Sequence, residues 1–145
     1  MNSSCHSQLG ISILCVEDEP LSREFLGRII SLKFPGIEIH IAENGEAGLE
    51  LFKKYRQNIV LTDISMPVMD GIHMAREIRM IEPDAHVIAL SAHNDLDCLQ
   101  EELSLLFDQY LLKPANLKKI CSAIDDCIAR ISMKNKSRTG TDFTD

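Results

Sequence analysis

The chain has 145 residues, a formal net charge of −7, 45% apolar and 26% charged residues, enough for one domain that buries roughly two-thirds of its unfolded surface and folds without covalent staples. The acidity excludes a general nucleic-acid surface, which needs clustered Lys and Arg, and no apolar run approaches the roughly 18 residues of a membrane span. Cys5, Cys15, Cys98, Cys121 and Cys127 form an odd set without a C-x-x-C pair, and 1–10 lacks the basic and apolar regions of a signal peptide. They read as reduced thiols in a cytoplasmic protein, with no zinc spacing among them.

Residues 1–9 read as an N-terminal extension. Ile11-Ser12-Ile13-Leu14-Cys15-Val16 is a short, nearly continuous apolar run stopped by Glu17-Asp18-Glu19-Pro20, the pattern of a buried strand followed by an acidic loop. Leu21, Phe25, Ile29 and Leu32 recur at helical spacing up to Pro35-Gly36 and predict a first helix with these residues as its core face. Glu38-Ile39-His40-Ile41 alternates as an edge or half-buried strand does, and Asn44-Gly45 opens a second helix with Ala47, Leu49, Leu51 and Phe52 as apolar positions.

Ile59-Val60-Leu61 predicts a third strand buried on both faces. A charged side chain is rarely buried there unless paired, so Asp63 is expected at the strand's carboxyl end. Pro67 keeps the backbone before it extended, and Asp70-Gly71 marks the turn into a third helix carrying Ile72, Ala75, Ile78 and Ile81, ended by Pro83. Val87-Ile88-Ala89-Leu90 is the fourth strand. Leu96, Leu99, Leu103 and Leu106 form the stripe of an amphipathic fourth helix, and Gln109-Tyr110-Leu111-Leu112 a fifth strand ended by Lys113-Pro114. Leu117, Ile120, Cys121, Ile124, Ile128 and Ile131 define the fifth helix; 133–145 carries no periodicity and reads as a flexible tail or the start of a linker.

Strands alternating with helices in this way predict an α/β, doubly wound, three-layer domain over 10–132, with five parallel strands between five helices. In such sheets ligands bind beyond the carboxyl ends of the strands. The residues there are Glu17 and Asp18 after the first strand, Asp63 after the third, Ser91 after the fourth and Lys113 after the fifth.

Their chemistry is coherent. Carboxylates gathered at about 4 Å repel by roughly 4 kcal/mol per pair at an effective dielectric of 20, and a divalent cation removes that cost. Hard oxygen donors without Cys or His point to Mg²⁺. The Lys113 ammonium and Ser91 hydroxyl would hold further oxygens of a phosphoryl group, leaving Asp63 as a nucleophile that forms an acyl phosphate. Taken singly, each residue is also an ordinary cap, turn or surface charge.

Over residues 10 to 132 the sequence closely resembles the receiver domain of two-component response regulators. The motifs that carry the resemblance are Val16-Glu17-Asp18-Glu19, Thr62-Asp63-Ile64-Ser65-Met66-Pro67-Val68-Met69-Asp70-Gly71, Leu90-Ser91-Ala92 and Tyr110-Leu111-Leu112-Lys113-Pro114. The resemblance implies a flavodoxin-like sheet of strand order 2-1-3-4-5. It makes Asp63 the phosphoacceptor, served by a sensor histidine kinase or histidine phosphotransfer protein, with Mg²⁺ held by Glu17, Asp18, Asp63 and the backbone carbonyl of Ser65. Asp18 matches the direct ligand and Glu17 the position that acts through water, where aspartate is commoner.

Ser91 matches the switch hydroxyl, Tyr110 the switch aromatic, Lys113 the invariant lysine and Pro114 its cis-proline partner. Ser65 and His93 resemble positions that tune dephosphorylation. In the family, phosphorylation changes the face built from the fourth helix, fifth strand and fifth helix; a shift from 1% to 99% active requires a bias of roughly 5.5 kcal/mol. The implied partners are a kinase or phosphotransfer protein and a downstream effector or fused output domain, without direct nucleic-acid or membrane contact, and a homodimer on phosphorylation is left open.

Two other functions are weighed against this one. A Mg²⁺-dependent phosphohydrolase of the haloacid dehalogenase type would use Asp63 in the same way but needs an acid two residues on, where this chain has Ser65. A phosphorylation-independent binding module would not need the full set of site residues. A flavin-binding relative of the fold is disfavoured because acids, not a Ser/Thr/Gly-rich phosphate loop, follow the first strand.

Overall fold

The computed structural model describes residues 10–91 and 105–144, with side chains through Lys134. In chain order the elements are β1 (Ser12–Val16), α1 (Pro20–Lys33), β2 (Glu38–Ala42), α2 (Gly45–Tyr55), β3 (Ile59–Asp63), α3 (Gly71–Ile81), β4 (His86–Ser91), β5 (Gln109–Leu112) and α4 (Leu117–Thr144). The strands form one five-stranded sheet of order β2-β1-β3-β4-β5, and every neighbouring pair is parallel. Four helices stand among the described residues where the sequence reading has five. The expected helix around Leu96, Leu99 and Leu103 lies outside the described residues, apart from residues 105–106 at its end, which are helical.

The strands alternate their side chains between two cores, as a period of two requires. Ile13, Cys15, Ile59, Leu61, Ile88 and Leu90 face a layer formed with α1 and α4. Leu14, Val16, Val60, Val87 and Ala89 face a second layer with Phe52 of α2 and Met74 and Ile78 of α3. The three-layer architecture follows from these two faces.

Local chemistry sets the helix ends. Glu19 is the N-cap of α1, with Pro20 opening the helix; Asn44 caps α2 through Ala47 N–H at 2.8 Å, and Asp70 caps α3 through His73 N–H at 2.8 Å. Each side-chain oxygen satisfies an amide that has no partner within its helix.

Two readings are corrected. The core face predicted for α1 is the wrong one: Leu21, Phe25 and Leu32 are exposed at 74%, 57% and 76%, while Leu26, Gly27 and Ile30 are buried. The helix carries two apolar stripes, and spacing alone does not choose between them. Gly27 decides it, because Ile41 of β2 packs where a Cβ would stand. The third strand runs on through Thr62 to Asp63, since both residues are paired on the ladder, Thr62 with Val16 and Asp63 with Leu90. The last helix runs from Leu117 through Thr144, past the end of its apolar stripe at Ile131.

Candidate functional site

The sheet ladder continues one residue past several strand ends and fixes the backbone there. Glu17 N–H donates to Ala42 O at 3.1 Å, Ile64 N–H to Leu90 O at 3.1 Å and Lys113 N–H to Ser91 O at 2.8 Å. Because Val16 pairs with Thr62, the next residues, Glu17 and Asp63, stand side by side on neighbouring strands. The carboxylates of Glu17, Asp18 and Asp63 each offer an oxygen within 4.8 Å of the others.

Lys113 reaches this group from beyond β5. Its Nζ lies 2.5 Å from Asp63 Oδ1 and 4.0 Å from Glu17 Oε1, and the Lys113-Pro114 peptide is cis. Asp63 is fully buried, Glu17 and Ser91 nearly so. The Lys113 ion pair apart, neither carboxylate oxygen of Asp63 nor Ser91 Oγ has a hydrogen-bond partner. Buried polar atoms of this kind are costly unless a ligand or water satisfies them.

The electrostatics follow from this crowding. Burial, with the nearby Glu17 carboxylate adding to it, raises the Asp63 pKa to about 7 against the opposing pull of Lys113. Burial draws the Lys113 ammonium down, but the carboxylates of Asp63, Glu17 and Asp18 outweigh it and leave its pKa raised. On β1, the Cys15 thiol is pushed up to about 12 by burial and then by Glu17 and Asp63, so it stays a protonated core residue. Cys15, Cys121 and Cys127 are free thiols.

The site residues expected from the sequence converge in part. Glu17, Asp18, Asp63 and Lys113 meet directly. Ser91 ends β4 with its Oγ buried, and Tyr110 of β5 is partly buried against the α2/α3 core layer. Ser65 is exposed in the loop after Asp63, and His93 lies outside the described residues. Glu19 is no part of the acidic cluster: its Oε1 accepts from Ser22 N–H at 2.7 Å, and that backbone bond lowers its pKa.

Two supporting residues escape sequence reasoning. Arg23 Nη1 donates to the carbonyls of Glu17 at 3.0 Å and Asp18 at 3.3 Å, bracing the acidic loop from α1; nothing in its spacing signals this. Gly71 reads as a turn residue in the sequence, yet its role is close packing. A Cβ there would collide with the Asp63 carbonyl, while Gly71 N–H donates to Ile64 O at 2.7 Å. A glycine following the aspartate motif is the one sequence sign of this approach.

The donor set is all oxygen and crowded, and suits a hard metal ion better than a soft one. Glu17, Asp18 and Asp63 could hold such an ion, and an ammonium beside the most buried carboxylate can hold an incoming anionic group. No described helix is long and apolar enough to cross a membrane.

The chain resembles known proteins in sequence and in fold. The chain is 34% identical over 126 residues to the regulatory protein AtoC of Escherichia coli, covering 87% of this chain and 27% of AtoC. It is 29% identical over 116 residues to the chemotaxis protein CheY of Halobacterium salinarum, covering 80% of this chain and 95% of that protein. Several relatives are longer: the chain spans 35% of YesN of Bacillus subtilis and 48% of DegU of Brevibacillus brevis. The crystal structure of a response regulator receiver domain protein from Clostridium thermocellum superimposes with a TM-score of 0.78 at 29% identity, covering 85% of this chain and 98% of that one. The family model for the response regulator receiver domain matches residues 13–125, and the chain belongs to that family.

Proposed function

We propose that the domain, spanning 10–132, is a phosphoacceptor switch in which Asp63 takes a phosphoryl group from a phosphohistidine on a sensor kinase or phosphotransfer protein. The observation that carries this reading is the Asp63 carboxylate, buried at the end of β3, with Lys113 Nζ at 2.5 Å and Glu17 and Asp18 alongside. An oxygen of Asp63 attacks phosphorus, the bond from phosphorus to the donor nitrogen breaks, and the donor imidazole leaves with its electron pair. Lys113 holds a phosphoryl oxygen, and the unpartnered Ser91 hydroxyl donates to another.

Glu17, Asp18, Asp63 and the Ser65 carbonyl would hold Mg²⁺, and the three crowded carboxylates support that choice. When bound, Mg²⁺ neutralises charge on the phosphoryl oxygens. Ser91 and Tyr110 would pass the change to the face that includes β5 and α4 and, by the family resemblance, the fourth helix expected from the sequence. The output is a contact with an effector or a fused output domain, a reading that the longer relatives support, and the compartment is the cytoplasm. The role is that of a signalling domain, with at most self-phosphorylation from small donors and autodephosphorylation as activities of its own.

The test is incubation with acetyl phosphate and Mg²⁺, read by intact mass. One phosphoryl group should be added to the wild type and none to Asp63→Asn. Absence of uptake by the wild type, or uptake by the variant, would overturn the reading.

A further inference from the structure

The loop between β3 and α3 holds one residue in a conformation that its side chain disfavours. Val68 has φ 71°, and Met69 N–H donates back across it to Pro67 O at 2.8 Å, closing a three-residue turn. A β-branched residue with positive φ is an outlier, and this form of the turn is strained. The neighbours enforce it. Met69 O accepts from Gly45 N–H at 3.1 Å, and a Cβ on Gly45 or Gly71 would collide with Met69 O or Asp63 O respectively. The backbone around residue 68 is thus clamped from both sides.

Asn or Gly would suit this backbone better than Val. The Val68 side chain gives the isolated domain nothing in return, being 74% exposed and part of neither core cluster. A single exposed apolar residue needs no explanation, whereas a strained and exposed valine at the rim of a functional site does.

Its position supplies one. The loop that carries Val68 follows Asp63, and the loop after β1 carries Glu17 and Asp18; β1 and β3 are adjacent. Beyond the acidic loop, α1 presents Leu21 at 74% and Phe25 at 57% exposure. Exposed apolar side chains therefore stand on both layers of the fold around an acidic mouth. A small phosphodonor has no surface to meet them. A protein donor does, and packing there excludes water from the transfer.

We propose that Val68 is a specificity-determining contact for a protein phosphodonor, received by an apolar pocket beside the donor's phosphohistidine. The inference rests on the phosphoacceptor reading of Asp63. The donor surface that fits is apolar with basic residues around it, complementing the net charge of −7.

The test compares Val68→Asn, Val68→Gly and Val68→Ile with the wild type in two reactions. One uses acetyl phosphate. The other uses the histidine-phosphorylated kinase or phosphotransfer protein that labels the wild type fastest when the source organism's own set is profiled with radiolabelled phosphate. Val68→Asn and Val68→Gly should match the wild type with acetyl phosphate, Val68→Asn should melt higher, and both should receive phosphate from the protein about tenfold more slowly, the effect expected for withdrawing one buried valine. Val68→Ile, which stays apolar, should keep the rate. Protein transfer to Val68→Asn within twofold of the wild type would overturn the inference, as would an equal loss with both donors. Failure of the wild type to take phosphate from either donor would instead overturn the reading of Asp63.

Discussion

Lys113 Nζ stands 2.5 Å from Asp63 Oδ1 and 4.0 Å from Glu17 Oε1, so one cation offsets two buried carboxylates at the end of the sheet. Removing it should destabilise the protein through the charges left behind. Lys113 is itself 41% exposed, so solvent screens part of the effect, and Lys113→Met should lower the unfolding free energy by about 1–2 kcal/mol without divalent metal. Urea unfolding at pH 7.5 measures it. A divalent ion at the carboxylates should recover part of the loss, and an unchanged midpoint in metal-free buffer would contradict the pairing.

Asp63 should behave in the opposite way. Its pKa, raised from 3.8 to about 7, means that the folded state binds its proton more tightly than the unfolded chain does. The associated stability is therefore complete below pH 4 and is lost as pH rises through 7. Asp63→Asn should remove that slope and raise metal-free stability at pH 8 by about 2 kcal/mol. In Mg²⁺ the advantage should shrink, because the variant loses a ligand while the wild type gains stability by binding. Thermal melts between pH 4 and 8, with and without Mg²⁺, test both parts.

Why this site was readable from the sequence is a matter of ladders. In a parallel sheet each apolar run stops at a definite strand end, so Glu17, Asp63, Ser91 and Lys113 declare their places by where hydrophobicity ceases. Asp63 by itself resembles a cap; it is the neighbouring strands, through pairs such as Val16 with Thr62 and Asp63 with Leu90, that turn it into a site. What stayed hidden depends on contacts remote in sequence. The Arg23 brace on the Glu17 and Asp18 carbonyls is a long side chain finding backbone oxygens, and the positive φ at Val68 is imposed by packing that its own residue type opposes. Helical spacing reveals α1 but not its orientation, because the helix carries two apolar stripes.

That ambiguity on α1 makes a direct prediction. Leu26 is 6% exposed and packs in the α1/α4 layer, whereas Phe25 is 57% exposed. Leu26→Ala should cost about 2–4 kcal/mol, the range for truncating a buried leucine, while Phe25→Ala should stay within about 0.5 kcal/mol of the wild type. Guanidinium unfolding of the two variants decides which stripe faces the core. A larger loss from Phe25→Ala would restore the sequence reading.

His86 opens β4 at the opposite end of the sheet from the acidic cluster. Its Nδ1 is buried without a hydrogen-bond partner. Burial lowers its pKa, Arg130, Arg79 and Lys134 push the same way, and Asp108 opposes them. The folded state therefore disfavours the imidazolium relative to the unfolded chain, whose histidine titrates near about 6.5. The sign follows: the contribution is present above pH 6.5 and is lost as pH falls through the lowered value in the folded protein, where the unfolded chain takes up the proton first. His86→Gln removes the titration and keeps a polar side chain of similar reach, so its stability should change less than that of the wild type between pH 7 and 5. With His86 half-buried, the difference in slope should amount to less than about 1 kcal/mol over that interval. Parallel urea titrations across this range resolve it, and identical pH profiles for the two proteins would exclude His86 as a source of acid sensitivity.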